Sequence, residues 1–401
     1  MSRIRFADSN SHSKIAGERI VPSPATAISG LAGIAATTVA LSFIQPVQAQ
    51  TFQDEMDSLA TVVCGSFAPC PTFGSTAAIG GQIEVQNGGL PAAVSQRLRQ
   101  QQCEADDNAN CLQPGGASAD ETSFDGLNLF VSTDYQYKRK DEAAEAGFQS
   151  DRGGITVGLD APMEWGLIGG AISYSHTWGD FDDDGGEFGI DSFGGLVYAS
   201  YYPTDASYID AVIGLAGKGQ TLDRRVVANN VILGNAEGDT IGFEFQGSLS
   251  GGYDFAFDNI TIGPRVGVNY LRTELNGFTE TGNPLALSYE DQVEDSLTTT
   301  AGVQASIAIS TSIGVIVPQA SAEYVHEFLN DRRTIHAVST DGTATPVDFV
   351  TDPPDRNYFN IGGGIVFVLP DGVAPFLSYS AQIANRFEEL HTLTAGVRFE
   401  L

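Results

Sequence analysis

The sequence predicts an all-β fold: a twelve-stranded antiparallel transmembrane β-barrel, preceded by a short, partly helical N-terminal segment that enters or plugs the pore. Three observations carry that expectation. Charged residues make up only 17% of the 401 residues, with 46 glycines, whereas ordinary soluble domains carry about 25% charge. From about Phe124 to the end, apolar and polar residues alternate with period two in runs of ten or more, as a tilted membrane-crossing strand requires. The connections between those runs alternate between tight turns and long polar stretches, the arrangement of outer-membrane barrels. Apolar residues reach 42%, so disorder for want of core material is excluded. The formal charge of −30 excludes a phosphate-binding basic face, and with it nucleic acid as a partner.

Residues 1–49 have the make-up of an export signal. Arg3, Arg5, Lys14 and Arg19 form a positive start, and no further charge appears until Asp54. The uncharged stretch Ala27–Ile44 leads to Val47 and Ala49, small residues that suit a signal peptidase, with Gln50 as the mature start. A transmembrane anchor is the competing reading, since the stretch is long enough. Loss of four basic and two acidic residues takes the net charge from −30 to −32. Export places the four cysteines in an oxidising compartment.

Residues 50–122 read as a short passenger or stalk with a linker. The cysteines form two close pairs, Cys64/Cys70 and Cys103/Cys111, and all precede residue 112. Close pairing into two small disulfide loops is favoured by loop-closure entropy, although four cysteines allow three connectivities and metal binding is a further option. Leu90–Gln102 has helical spacing, with Leu90, Val94 and Leu98 on one face. Pro114–Thr122 is a Gly/Ala/Ser/acidic linker. Either Leu90–Gln102 or the run Leu112–Thr122 is a candidate occupant of the lumen.

Residues 123–401 hold the barrel. The expected strands are 126–138, 152–162, 165–177, 187–202, 206–219, 239–256, 259–273, 295–309, 312–329, 355–369, 373–384 and 391–401. In the last of them Leu393, Ala395, Val397, Phe399 and Leu401 alternate with Thr392, Thr394, Gly396, Arg398 and Glu400. Ile260–Tyr270 and Phe359–Leu369 alternate in the same way. The spans 139–151, 178–186, 220–238, 274–294 and 330–354 read as long loops, with a shorter one at Asn385–Leu390. An even strand count puts both barrel ends on the short-turn side and the long loops outside.

Several ordered segments together resemble the C-terminal barrel of the autotransporters, the type V secretion family. They are Gly153–Asp160 with Gly169–Ser175, Tyr270–Gly282, Tyr289–Leu297 with Ala301–Gly302, Pro318–Phe328, Pro375–Tyr379 and Thr394–Leu401. Family members usually finish on Phe or Trp, and this chain finishes on Leu401 with Phe399 two places earlier. The resemblance implies an assembly signal at Thr394, Gly396, Phe399 and Leu401. It further implies insertion by the barrel-assembly machinery with periplasmic chaperones, a helix threading the pore, and export of a passenger. Outer-membrane lipid and lipopolysaccharide are the expected surroundings, and the chain is expected to be monomeric. The alternatives are a porin-like barrel plugged by its N-terminal segment, and a barrel hydrolase.

Chemistry-bearing residues are sparse. No Gly-x-Ser-x-Gly block is present, and His176, His326, His336 and His391 do not cluster in sequence; the reading is no catalytic residue and no cofactor. The run Asp180-Phe-Asp-Asp-Asp-Gly185 followed by Asp191 gives a weak calcium candidate at Asp180, Asp182, Asp184 and Asp191, because alternate carboxylates and a glycine turn suit a hard cation. Against it, Phe188 occupies a ligand position and the flanks read as strands. By parity Arg265, Glu323, Glu327, Arg398 and Glu400 face the lumen, while His326 faces outward with Tyr324 and Phe328. Tyr174, Tyr201, Tyr202, Tyr270, Tyr324, Tyr358 and Tyr379 are expected in aromatic girdles.

Overall fold

A computed structural model describes residues 126–401 apart from 142–145, 205, 229–230 and 343. The signal stretch, Leu90–Gln102 and the linker therefore lie outside the described residues. So do all four disulfide candidates, Cys64, Cys70, Cys103 and Cys111. Within the described residues are twelve long strands: β1 Asn128–Lys140, β2 Phe148–Met163, β3 Gly166–Phe181, β4 Gly186–Thr204, β5 Ser207–Ala228, β6 Val231–Tyr253, β7 Ile260–Leu275, β8 Gln292–Ile307, β9 Gly314–Glu327, β10 Asn357–Val368, β11 Val373–Ile383 and β12 Glu388–Glu400. Each pairs antiparallel with the next, and β12 returns to pair with every residue of β1 from Asn128 to Lys140. The sheet closes, so no long barrel strand is left with an unpaired edge. Two short strands, Phe255–Phe257 and Ile309–Thr311, extend pairing into the tight-turn side.

Alternation sets the two faces. On β1 the residues Asn128, Phe130, Ser132, Asp134, Gln136, Lys138 and Lys140 are all buried, and the intervening Tyr135 is half exposed. Large apolar side chains point out of the barrel: Ile172 is 58% exposed, Phe193 63%, Val197 61% and Val266 60%. A soluble protein would bury these and expose the lysines. Here lipid replaces water on the outside, so the apolar face turns outward and polar groups gather within. The expected lumen parity of Arg265, Glu323, Glu327, Arg398 and Glu400 holds, as does the outward parity of His326.

Two expectations fail. Tyr202 and Tyr358 have inward parity, between outward Tyr201 and Phe359 and their neighbours. Adjacent residues of a strand cannot share a face, so only one of Tyr201 and Tyr202 can join a girdle. The span 220–238 is not a loop either. β5 runs on to Ala228 and β6 starts at Val231, paired almost throughout. Smaller shifts of the same kind lengthen β2, β3, β8 and β12 toward the outside.

The face assignment yields a direct test. Val266→Arg places a charge on the lipid face near mid-strand and is expected to cost about 2–4 kcal/mol. Thr261→Arg, of opposite parity on the same strand, is expected to be tolerated. Unfolding midpoints in lipid or detergent compare the two, and equal damage from both would refute the register of β7.

Candidate functional site

The lumen is lined in two textures. In the half nearer the short turns, Phe130, Leu167, Ala171, Leu196, Tyr198, Val212 and Ala216 form an apolar cluster. A second one joins Ala308, Val315, Val317, Val366 and Phe376. The other inward side chains are polar or ion-paired, at the short-turn end as well as toward the outside. Arg152 donates to Asp134 at 2.7 Å, Lys218 pairs with Glu244, and Arg265 lies 3.9 Å from Glu323. Lys138 lies 3.1 Å from Glu388. Arg398 donates to Asn128 at 3.0 Å, and Asn128 to Asp160 at 2.8 Å. Glu327 accepts from the Ser296 hydroxyl and from the backbone N–H groups of Leu297 and Leu329. These pairs satisfy charges that burial would otherwise penalise.

The outer mouth is built from segments read as loops. Pro346–Val350, Thr334–Ser339, Leu287–Tyr289 and Phe278–Thr279 form a separate four-stranded antiparallel sheet in that order. Beneath the paired extension of β5 and β6, the inward side chains Leu222, Val226 and Ala236 are buried, as are Tyr289, Ile335 and Phe349 of the loop segments. Outward side chains on the same extension, Asp223, Arg225, Asn235, Glu237 and Asp239, are polar and belong above the hydrocarbon. Gly238 has inward parity, and a Cβ there would come within 2.7 Å of the Phe278 ring. The absent side chain leaves room for the Phe278 ring on the same inward face, where residues 276–281 run hydrogen-bonded alongside β6. Phe278 in turn stacks on Tyr289 at 4.8 Å.

An ion pair ties the sheet down. Arg224 on β5 donates from Nε and Nη2 to both carboxylate oxygens of Glu280, at 2.8 and 2.6 Å. Its Nη2 also reaches the Leu285 carbonyl at 3.0 Å. Glu280 accepts from the Leu287 backbone N–H at 3.0 Å and the Tyr289 hydroxyl at 3.4 Å. Burial first, and then the neighbouring Glu280 carboxylate, holds the Tyr289 phenol well above its ordinary range. Glu237 and Thr281 exchange both backbone hydrogen bonds, at 2.9 and 2.8 Å. Sequence reading missed Arg224, Glu280 and Tyr289 because it placed them in loops. The available signal was Leu222, Arg224 and Val226 keeping period two beyond residue 219.

The other candidate residues are dispersed. Asp182 and Asp184 sit in a one-turn helix between β3 and β4, Asp180 is the next-to-last residue of β3, and Asp191 lies within β4. Asp184 pairs with Arg225 at 3.2 Å, and Asp182 lies 3.8 Å from Arg139. Asp191 accepts from Tyr174 and bonds His176. Among the described residues, no group of three or more His, Cys, Asp or Glu is placed to hold a metal ion. The pairs Cys64/Cys70 and Cys103/Cys111 precede residue 126, so the barrel geometry bears on neither their disulfides nor their metal option. The histidines bond Asp191, Asn357, Asp348, Tyr379 and Glu389. None of those partners is a serine or cysteine, so no activated nucleophile is formed there. Of the C-terminal set, Thr394 is buried in the lumen, while Phe399 and Leu401 have outward parity. A Cβ on Gly396 would meet the Phe376 ring at 2.5 Å. The Leu401 N–H donates to the Leu127 carbonyl at 2.9 Å, carrying the seam to the last residue.

At the outer rim of the lipid face, Tyr174 and Tyr270 donate to Asp191 and Asp295, at 2.6 Å each. Tyr135, Tyr324 and Tyr379 bond Asp151, Asn357 and His391. Trp165 and Tyr201 meet near the short turns. These are two aromatic girdles at the levels where ring and hydroxyl can face lipid and water respectively.

A family model described as the autotransporter β-domain matches residues 129–380. Outer membrane protein B of Rickettsia japonica is 25% identical over 268 residues, 63% of this chain and 16% of that protein. The protein of the same name from Rickettsia prowazekii is 25% identical over 278 residues, 65% of this chain and 16% of its own length. The chain thus spans about one sixth of the curated relatives it matches. Among solved structures, the translocator domain of the autotransporter NalP from Neisseria meningitidis superposes with a TM-score of 0.57 at 18% identity, covering 78% of this chain and 98% of that one. The β domain of the Bordetella autotransporter BrkA gives 0.51 at 18% identity, covering 69% and 100%. At these identities the structures speak to the fold.

Proposed function

We propose, from the premise that this chain belongs to the autotransporter β-domain family, that its outer-membrane translocator barrel exports residues 50–122 and displays them on the cell surface. The observation that carries this reading is the closed twelve-strand barrel with a polar, ion-paired interior. With an even number of strands, β1 and β12 both have their free ends on the short-turn side. Chain leading into β1 therefore reaches the outside only through the lumen. The lipid face and its two girdles support contact with outer-membrane lipid and lipopolysaccharide. The apolar outer face of β12 supports recognition of its C-terminal residues by an assembly machine.

Protease shaving of intact cells tests the proposal. Residues 50–110 are expected to be cleaved from outside while the barrel survives. Full protection of those residues would favour the porin-like reading, with the segment held on the periplasmic side. Heat-modifiable mobility in an outer-membrane fraction is expected in either case, and it separates both readings from a failure of the barrel to fold.

A further inference from the structure

We infer that the tip of the β5–β6 extension is the surface seat of Leu90–Gln102: Ile232 and Leu233 receive the apolar side of that run, and the carboxylates just below them receive Arg97 and Arg99. The inference rests on the translocator reading, and its test separates the two.

The extension ends in an apolar wedge. Ala228 pairs with Val231, so the two residues Asn229 and Asn230 close the hairpin. The register slips between the pairs Val226–Gly234 and Val227–Ile232, which leaves Leu233 as an extra residue, and Gly234 takes φ +121°. Neighbours on a regular strand face opposite ways. A bulge re-aims one of them, and here Ile232 and Leu233 are 57% and 48% exposed. Their own membrane does not cover them. Between Leu233 and Ile241, the next exposed apolar side chain on β6, the outward positions are Asn235, Glu237 and Asp239. Those eight residue steps make about 26 Å of strand and about 20 Å of height at a barrel's usual tilt. Apolar side chains gathered above a polar collar mark an interaction surface.

The collar itself is acidic. Asp223 stands directly opposite Glu237 across the two strands, and like charges so placed repel. Asp239 is the next outward residue on β6. Asp223 accepts from Asn235 at 3.2 Å, and its Oδ1 is buried without a partner. The neighbouring cations point elsewhere, Arg225 to Asp184 and Arg224 inward to Glu280.

Composition marks the occupant. Arg97 and Arg99 are the only basic residues between Gln50 and Asp125. They flank Leu98, so on a helix they lie about 100° to either side of the stripe of Leu90, Val94 and Leu98. An apolar stripe edged by two guanidinium groups complements an apolar tip above carboxylates. A second copy would set the same acidic collar against itself, which like-charge repulsion opposes. Length permits the seat as well. The 27 residue steps from Arg99 to Gly126 span up to about 90 Å when extended. β6, with 23 residues, rises about 55–60 Å at the same tilt, so a chain that leaves the bore reaches the tip with slack.

The test is proteolysis of intact cells carrying the full-length chain. Proteinase K reports surface arrival of residues 50–110 wherever it cuts. Trypsin has sites only at Arg97 and Arg99 between Gln50 and Asp125, so it reports on the seat. Tryptic cleavage there, followed by mass mapping, is expected to be slow in the parent. It is expected to be about tenfold or more faster with Ile232→Asp and Leu233→Asp together, and faster also with Glu237→Gln and Asp239→Asn together, because cleavage follows the population of the undocked segment. All four positions are exposed, so heat-modifiable mobility is expected to be unchanged. Photocrosslinking from Leu233→benzoylphenylalanine is expected to capture the peptide holding residues 90–102. Equal tryptic rates in all three chains, with residues 50–110 open to proteinase K, would overturn the seat, as would crosslinks only to a second copy or to another protein. Residues 50–110 resistant to both proteases would overturn the translocator reading, and the seat with it.

Discussion

Deleting Arg398–Leu401 abolishes insertion: the truncated chain is expected to be missing from the heat-modifiable outer-membrane pool, and to be degraded or soluble. The deletion removes three pairs of the β1–β12 seam, Arg398 with Phe130, Phe399 with Leu129 and Glu400 with Asn128. On the other side it unpairs Val373 and Ala374 of β11. The bond from the Leu401 N–H to the Leu127 carbonyl is lost as well. Water is absent from the hydrocarbon, so each stranded backbone group costs several kcal/mol. The loss falls at the seam, where the sheet has no other partner to offer. It also strips the Arg398 guanidinium from the buried Asn128–Asp160 network. Two milder changes separate seam closure from end recognition. Leu401→Phe keeps the backbone bond and supplies the aromatic end common in the family, and is expected to insert at least as well as the parent. Phe399→Ala keeps every pair and removes one outward ring, so a loss of insertion there would point to recognition rather than closure. Normal insertion of the truncated chain would refute the assignment of β12 as the closing strand.

What was legible in the sequence follows from which forces are local. Strand parity is local: lipid on one side and a polar bore on the other repeat every two residues, so Ile260–Tyr270 and His391–Leu401 declared their faces unaided. That twelve strands were countable has the same origin. The outer extension of β5 and β6 was hidden because above the membrane the lipid-facing set turns polar, as Asp223, Arg225, Asn235 and Glu237 show. An apolar half of the pattern survives inward, on Leu222, Val226 and Ala236, where it answers to a loop sheet assembled from residues about 40 to 130 positions away. Such a partner cannot be read from a window of ten residues. The same distance hid the buried ion pair, since Arg224 and Glu280 are 56 residues apart. For Tyr202 and Tyr358 the error was different. Residue type suggested a girdle, but alternation with Tyr201 and Phe359 already forbade it.

The second large effect is expected within the bore. Lys218→Met is expected to destabilise the barrel by about 3–5 kcal/mol, the cost of leaving one member of a buried ion pair alone. The Lys218 and Glu244 side chains are 2% and 6% exposed. Water therefore offers the stranded carboxylate little relief, and Thr273, donating to Glu244 at 3.4 Å, supplies one weak hydrogen bond in its place. The opposing effect is that the intact pair was itself expensive to desolvate. A barrel lumen is also wetter than a soluble core, which would shrink the penalty. The double change Lys218→Met with Glu244→Leu decides between these effects. If desolvation dominates, the double variant recovers to within about 1 kcal/mol of the parent or exceeds it, because two charges leave together. Midpoints of the heat-dependent band shift, or denaturant unfolding in lipid, measure all three chains. A single variant losing less than about 1 kcal/mol would show the pair to be solvated. A double variant as damaged as the single would show that the two charges are not coupled, and that Lys218 acts through its aliphatic stem against the wall.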